Sequence, residues 1–274
     1  VRLYILFLEK LLNMEVHHPH HPTHSKPWKE YLIEGLMIFV AVTLGYGAEN
    51  IREHYINKHK GIISVQNLYK DLKDDSLNYA LGIKNRNFQD SCFEVISNLV
   101  DEDKIKNEIP TVYAAHANIS LRMLPIMNTM ALDQIKNSSA LNYIEDDELK
   151  EMIQSYSSDA NGLKLREQRE FSFIDRMLDP ISTTRFEYKY FKKIGNANLY
   201  ILNNKIISDI KIPDRLNIVN ENTFDWNNYL SVLGMLKTIR ESTDEKYIIP
   251  TQTKCNKLID LVRKYLEDNN ELID

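Results

Sequence analysis

The residues with the clearest potential for chemistry are five histidines near the start of the chain, within the stretch HHPHHPTH. They are His17, His18, His20, His21 and His24. Imidazole nitrogens bind Zn²⁺, Ni²⁺ and Cu²⁺ and change charge near physiological pH. The prolines between them oppose a helix, so no ligand geometry is preset. These histidines are candidate metal ligands; the alternative is a solvated tail with adventitious metal affinity.

The other histidines belong to no recognisable catalytic or metal-binding motif. His54 and His59 are five residues apart, so they do not share a helix face as an i, i+4 pair of ligands would. His116 stands alone. The chain lacks a phosphate-binding glycine loop, a nucleophile elbow and an HExxH motif. We therefore predict no enzymatic activity and no cofactor, and interpret each of these histidines as solvated or hydrogen-bonded.

The acidic cluster Asp71, Asp74 and Asp75 is a second candidate cation site. It lacks the glycine and the ligand spacing of a calcium-binding loop. The surrounding apolar residues recur at helical steps, which favours a solvated helix face for all three carboxylates.

The two cysteines, Cys92 and Cys255, lie far apart in sequence. An oxidising compartment would permit one disulfide between them. The alternative, favoured by the usual burial of cysteine, is a pair of separate thiols on buried helix faces. Neither belongs to a CxxC pair, so the sequence predicts no zinc or redox centre built on them.

The composition favours a helical protein with a sizeable core. Its 274 residues are 43% apolar and include only eight glycines and eight prolines, fewer than an all-β fold needs for its turns. The formal net charge is -5, and the charges are well mixed. No strongly basic stretch stands out, which argues against nucleic acid as a partner.

The segment from Tyr31 to Ala48 has the length and hydropathy of a transmembrane helix. As a helix it spans about 27 Å, close to the hydrocarbon thickness of a bilayer, about 30 Å. No charge occurs between Gly35 and Ala48, whereas a buried helix of a soluble protein usually shows a polar stripe. Trp28 and Tyr31 lie where interfacial aromatic residues are expected. We predict one uncleaved anchor over residues 28–49, with the lipid bilayer as a partner.

The residues before this anchor are open to two interpretations. Residues 1–13 are apolar but too short to span a bilayer. They form a short interfacial helix, or they belong to an over-extended reading frame that begins at Val1, with Met14 as the true start. We assign residues 1–27 to a flexible tail rich in histidine and proline.

Residues 50–274 are predicted to form an all-α, bundle-like soluble domain. Apolar residues at three- and four-residue steps indicate one long helix, or a broken pair, over residues 50–100. The stretch NLYILNNKII predicts a short strand or hairpin. Pro180 is expected to end the preceding helix. The later helices are predicted over 144–178, 225–241 and 250–268.

Two blocks of sequence resemble a bacterial family of single-span membrane proteins of unknown function. The first block comprises KEYLIE (29–34), ENIRE (49–53) and SVQNLYKDLKDDSLNY (64–79). The second is LDQIKNSSALNYIEDDELKEMIQSY (132–156), in which a turn precedes an acidic-capped helix. Together they cover roughly the first half of the chain. The resemblance implies one inner-membrane span and a helical domain in the periplasm, and it carries no catalytic residue.

These features indicate a membrane-anchored helical module for interaction or sensing, whose partner is another protein or a second copy of the chain. Positive charges flank the apolar segment on both sides, so the orientation rests on the resemblance alone. The alternative is a metal-binding membrane protein that uses the five histidines of the tail. An enzyme with an unrecognised site is a third hypothesis, and it requires a cleft with converging polar groups.

Overall fold

The protein is mostly helical, as the composition predicts, in a computed structural model that describes residues 27–187, 199–202, 205–208 and 217–271. Its contacts divide the chain into two units, residues 1–56 and 57–274. The α-helices are α1 (Trp28–Asp101), α2 (Ile109–Ile119), α3 (Met130–Asn137), α4 (Asp147–Phe173), α5 (Asp179–Arg185), α6 (Trp226–Thr243) and α7 (Ile249–Asp268). Strands β1 (Leu199–Leu202) and β2 (Lys205–Ser208) pair antiparallel, with Leu199 opposite Ser208. This pairing matches the predicted hairpin.

The first unit contains the most apolar part of α1. Among the described residues, α1 is the one helix long and apolar enough to cross a membrane. Its most apolar window of 18 residues has a mean hydropathy of 1.6, and none of that window is buried. Side chains such as Leu36, Phe39 and Leu44 are each more than half exposed.

In the second unit, α1 continues without a break, so the long-helix interpretation of residues 50–100 is correct. Its buried side chains recur every three or four residues, which places them on one face. That face is covered by helices from later in the chain, in two apolar clusters. The first cluster includes Val65, Leu72, Ile153, Tyr156, Leu258 and Val262. The second includes Ile96, Val112, Tyr113, Ile174, Leu178 and Leu236.

The order of the buried residues gives the direction of each long helix. Along α1 and α4, residues of the first cluster precede those of the second. Along α6 and α7 the order is reversed, because α6 packs in the second cluster and α7 in the first. The α6–α7 segment therefore runs antiparallel to α1 and α4.

Two π turns, at Ile174–Leu178 and Asp244–Ile248, continue helices past the points where the sequence analysis ended them. The first joins α4 to α5, and the second joins α6 to α7. Each precedes a proline, Pro180 or Pro250, whose ring crowds the carbonyl four residues earlier and which has no N–H to donate to it. The wider π turn accommodates that missing bond. The prediction that Pro180 ends its helix is therefore wrong.

Side-chain caps define the helix starts that the sequence predicted. The Asp146 carboxylate accepts a hydrogen bond from the Leu149 N–H at 3.0 Å, at the start of α4. The Asp225 carboxylate accepts one from the Asn228 N–H at 2.9 Å, at the start of α6. Both bonds satisfy amide groups that lack a partner within their own helix.

Candidate functional site

A layer of charged side chains lies between the two apolar clusters. We call it the charged layer; its members are Arg86 and Asp90 of α1, Glu170 of α4, Arg240 of α6 and Asp244, the first residue of the second π turn. Arg86, Glu170 and Arg240 are each at most 1% exposed. Buried charges are rare in proteins unless they are paired, so the layer is the most unusual feature of the described core.

Arg86 is the centre of the charged layer. Its two terminal nitrogens donate to the two carboxylate oxygens of Glu170 at 3.0 and 3.1 Å. Its Nε donates to Asp244, and Nη2 also donates to the Arg240 carbonyl at 3.2 Å. The planar guanidinium thus ties α1 to α4 and to the second π turn, with the two-point geometry that arginine and carboxylate favour.

Arg240 of the charged layer and the neighbouring Gln89 together cap the C-terminal end of α2. Carbonyl groups in the last turn of a helix lack an internal donor. The Arg240 guanidinium donates to the Ile119 carbonyl, and the Gln89 amide donates to the Asn118 and Leu121 carbonyls at 2.8 Å each. Arg240 also lies 3.5 Å from Glu170, so the same side chain serves both roles.

The layer holds three carboxyl groups and two guanidinium groups. Burial raises the pKa of Asp244 to about 6, although Arg86 opposes the shift. Burial also raises the pKa of Asp90, against the nearby charges of Arg240 and Arg86. The Asp90 Oδ1 atom is buried without a hydrogen-bond donor among the described residues. The layer can therefore hold a proton close to neutral pH.

Asp75, which the sequence analysis placed on a solvated face, is 1% exposed. Its carboxylate accepts hydrogen bonds from the Asn128 N–H at 2.7 Å and the Tyr156 hydroxyl at 2.8 Å. Asp71 is half-buried and accepts one from the Ala131 N–H at 3.0 Å. Only Asp74 is solvated. The prediction of a solvated carboxylate is therefore wrong for Asp75. Its buried carboxylate helps to hold the start of α3 on α1.

His116 is fully buried and hydrogen-bonded on both ring nitrogens. Nδ1 lies 2.8 Å from the Tyr229 hydroxyl, and Nε2 lies 2.8 Å from the Ser182 hydroxyl. Ser182 donates its proton to the Leu178 carbonyl at 3.0 Å, so His116 donates to Ser182 and accepts from Tyr229. Burial lowers the pKa of His116 to about 3. This geometry does not activate the Ser182 hydroxyl, and it matches the hydrogen-bonded interpretation of His116.

The remaining candidate residues are not brought together. His54 and His59 are exposed on α1. Cys92 lies in the second cluster and Cys255 in the first, and both are buried free thiols, as the separate-thiol interpretation expected. The five candidate ligands of the tail lie outside the described residues. Within the described part of the chain, no group of three His, Cys, Asp or Glu side chains could hold a metal ion.

Two surface cavities lie away from the charged layer. The first, about 360 Å³, is lined by Lys60, Ser64 and Tyr143 among others. The second, about 270 Å³, is lined by Arg185 and Tyr229 among others. Arg185 already donates to Thr223 at 3.1 Å in that cavity. No member of the charged layer lines either of these two cavities.

The sequence carries a signal for the charged layer that the motif search did not use. Arg86 follows the buried Tyr79 by seven residues and precedes the buried Gln89 by three, so helical periodicity places all three on one face. Arg240 lies on the same helix face as the buried Leu236, four residues earlier. A charge in phase with an apolar stripe is expected to be buried and therefore paired.

No family model, curated protein or solved structure matches this chain. Three features of the described residues bear on function: the exposed apolar part of α1, the charged layer and the exposed apolar side chains of the second unit.

Proposed function

We propose that this protein is a membrane-anchored, helical-bundle module that binds a protein partner through its second unit. The observation that carries the anchor is a window of 18 residues in α1 with a mean hydropathy of 1.6, of which none is buried. Exposed apolar surface is unfavourable in water by about 25 cal/mol for each Å². A bilayer removes that surface from water without any need for further protein contacts.

Membrane extraction tests the anchor. We expect the full chain to remain in the membrane pellet after alkaline carbonate washing. The double variant Phe39→Lys, Leu44→Lys should leave the membrane, because each charge near the centre of a span is unfavourable by about 3 kcal/mol. The matched control is Leu77→Lys, Leu81→Lys, which places the same charges on exposed positions of α1 in the second unit and should stay in the pellet. Extraction of the unaltered protein by carbonate would reject the anchor.

An exposed apolar patch supports the interaction role. We call it the α1 patch; its members are Leu77, Leu81, Ile126 and Met130, with 71%, 57%, 80% and 76% of their surface exposed. The Asn78 amide donates to the Ile126 carbonyl at 3.0 Å, which places the segment before α3 beside α1. Clustered exposed apolar side chains are typical of protein–protein interaction sites.

Site-specific photocrosslinking tests the α1 patch. We expect a crosslinker at position 81 or 126 to give an adduct of one defined mass in intact cells. The same crosslinker at Gln168, an exposed polar position of α4, should give none. The pair Leu77→Ser, Met130→Ser should reduce the adduct. An adduct of twice the mass of the chain identifies a second copy as the partner, and equal yields at positions 81 and 168 would reject the patch.

We further propose that the anchor lies in a bacterial inner membrane, with the second unit in the periplasm. This orientation is supported by the resemblance of residues 29–79 and 132–156 to single-span bacterial proteins. A reporter that is active only outside the cytoplasm, fused after residue 274, should give a signal. A signal from a cytoplasm-specific reporter instead would reverse the orientation.

Metal binding by the tail is the second candidate function, favoured by the five histidines within eight residues, 17–24. Titration of the full chain in detergent with Zn²⁺ or Cu²⁺ tests it. Saturable, stoichiometric binding that disappears when all five histidines become alanine would support this role. Weak binding that does not saturate would reject it.

A further inference from the structure

The cavity of about 360 Å³ is formed by α1 on one side and by α3 and a 3₁₀ turn, Ser139–Tyr143, on the other. Its volume lies at the small end of the range of ligand sites in proteins, about 300–1,000 Å³. None of its lining residues is acidic, and one of them, Lys60, is basic. The lining therefore has the charge of a site for an anion.

The cavity is built on a close contact between α1 and the 3₁₀ turn. A Cβ atom on Gly61 would come within 3.0 Å of the Tyr143 carbonyl oxygen, so the two backbones nearly touch. The lining residues Ser64 and Ala140 are 8% and 5% exposed, and their small side chains leave room that larger ones would fill. The shape of the cavity is thus preset by packed elements, which lowers the cost of ordering a site around a ligand.

Lys60 supplies the positive charge. Its neighbour Lys58 pairs with Glu145 at 3.3 Å, whereas Lys60 forms no ion pair with a carboxylate among the described residues. The flexible four-carbon stem of lysine lets the ammonium group adjust to a ligand. An ammonium group that meets no carboxylate in the described lining attracts an anion and repels a cation.

Gln134 and Ser139 add hydrogen-bond donors to the lining. Both residues are exposed, and neither side chain forms a hydrogen bond with another described residue. The amide and the hydroxyl group can each donate to a ligand oxygen. Ile63, which also lines the cavity, is 42% exposed and offers apolar surface beside these polar groups. One cation, two donors and an apolar side chain together suit a ligand that is charged at one end only.

We propose that this cavity binds a small organic anion, whose carboxylate or phosphate oxygens accept hydrogen bonds from Lys60, Gln134 and Ser139. The apolar part of the ligand contacts Ile63. A neutral ligand would cover the ammonium group without replacing its hydration, which is unfavourable. Hydrogen bonds between charged groups are the stronger ones, so Lys60 contributes most to affinity. The site goes beyond the proposed function, since it requires neither the anchor nor a protein partner.

Amine acylation of the full chain in a neutral detergent tests the site, with butanoate and glycerol 3-phosphate as probes at constant ionic strength. At saturation we expect either anion to slow the acylation of Lys60 by about tenfold, because an ion pair keeps the amine protonated and unreactive. Mass spectrometry of peptides gives the rate for each lysine. Lys70, an exposed residue of α1 outside the cavity lining, should react at an unchanged rate. The uncharged counterparts, butanamide and glycerol, should protect neither lysine.

Calorimetric titration of variants measures the contribution of each group. Lys60→Gln should weaken binding of the anions by about tenfold or more. The matched control, Lys70→Gln, removes the same charge from the same helix and should keep the affinity of the unaltered protein. Ser139→Ala should weaken binding by about threefold, as expected for one neutral donor. These side chains are exposed, so the thermal unfolding midpoint should not change and serves as the folding control.

A comparison of two phosphate ligands identifies the source of the anion. Protection of Lys60 by short-chain phosphatidylglycerol at lower concentration than by glycerol 3-phosphate would identify a lipid headgroup as the ligand, and the reverse order would identify a soluble anion. Either order supports the anion site. Equal protection of Lys60 and Lys70, or no saturable protection of Lys60 by any of these anions, would overturn it. Unchanged affinity in Lys60→Gln would also overturn it.

Discussion

Gly82 of α1 lies directly against the ring of Pro125, in the segment between α2 and α3. A Cβ atom on Gly82 would come within 2.7 Å of the Pro125 Cγ and 3.1 Å of its Cδ. Gly82 does not adopt a positive φ, so the position needs glycine for close approach and not for backbone freedom. This contact lets the segment before α3 reach Asp75 and the first apolar cluster.

Gly82→Ala is expected to destabilise the protein by about 1–3 kcal/mol, because the added methyl group forces the proline ring and its segment away from α1. The matched control is Gly162→Ala in α4, whose Cβ would meet only the Tyr247 ring at 3.8 Å. That change should stabilise by about 0.5–1 kcal/mol through helix propensity. Urea unfolding measures both. A stabilising effect of Gly82→Ala would contradict the contact.

Glu170→Gln is expected to destabilise the protein by about 3–5 kcal/mol, because it leaves two buried guanidinium groups without their shared carboxylate. Glu94→Gln is the control, since the Glu94 side chain is 53% exposed and pairs with Lys237 at the surface. Loss of this surface ion pair should change the free energy of unfolding by less than about 1 kcal/mol. Urea unfolding of both variants at neutral pH gives the comparison. Equal effects would mean that the charged layer does not stabilise the fold.

Tyr156→Phe is expected to destabilise more at high pH than at low pH. Burial raises the pKa of Asp75, and the hydrogen bonds from the Asn128 N–H and the Tyr156 hydroxyl oppose that shift. The raised pKa means that Asp75 favours folding while it is protonated and loses that contribution as pH rises through its folded pKa. The charged form of Asp75 needs the hydrogen bond from the Tyr156 hydroxyl more than the protonated form does. Thermal unfolding across the pH range should show a loss that grows with pH; a constant loss would contradict this role.

The two cysteines should be unreactive in the folded protein. Burial raises the pKa of both Cys92 and Cys255 to about 12, so almost no thiolate is present near neutral pH. We expect a polyethylene-glycol maleimide to label neither thiol in the native state and both in urea. Because the thiols lie in different apolar clusters, electrophoretic mobility should not depend on reductant. A reductant-dependent shift would indicate a disulfide.

Local physical rules made much of the fold predictable. The periodicity of α1 and the positions of the later helices near 144–178, 225–241 and 250–268 were predictable from short stretches of sequence, because a helix repeats its buried face every few residues. The long apolar segment near the start of α1 is visible in the same way. The stretch NLYILNNKII predicted a short strand or hairpin, and the antiparallel pair β1 and β2 lies there.

The predictions for Pro180 and Asp75 were wrong because their outcome depends on neighbours far along the chain. Pro180 ends an isolated helix, but here apolar packing on both sides of it favours continuation through a π turn. Asp75 resembles its solvated neighbours in sequence, and only the approach of Asn128 and Tyr156 makes its burial favourable.

By itself, the sequence determined where most of the long helices lie and which of their faces is apolar. Only the tertiary structure decided which buried charges meet. Arg86 pairs with Glu170, 84 residues later in the sequence, and with Asp244, 158 residues later. Helical periodicity has a range of a few residues, whereas the pairing of charges across such separations is set by how whole helices pack, since a buried charge is stable only where a partner from another helix reaches it.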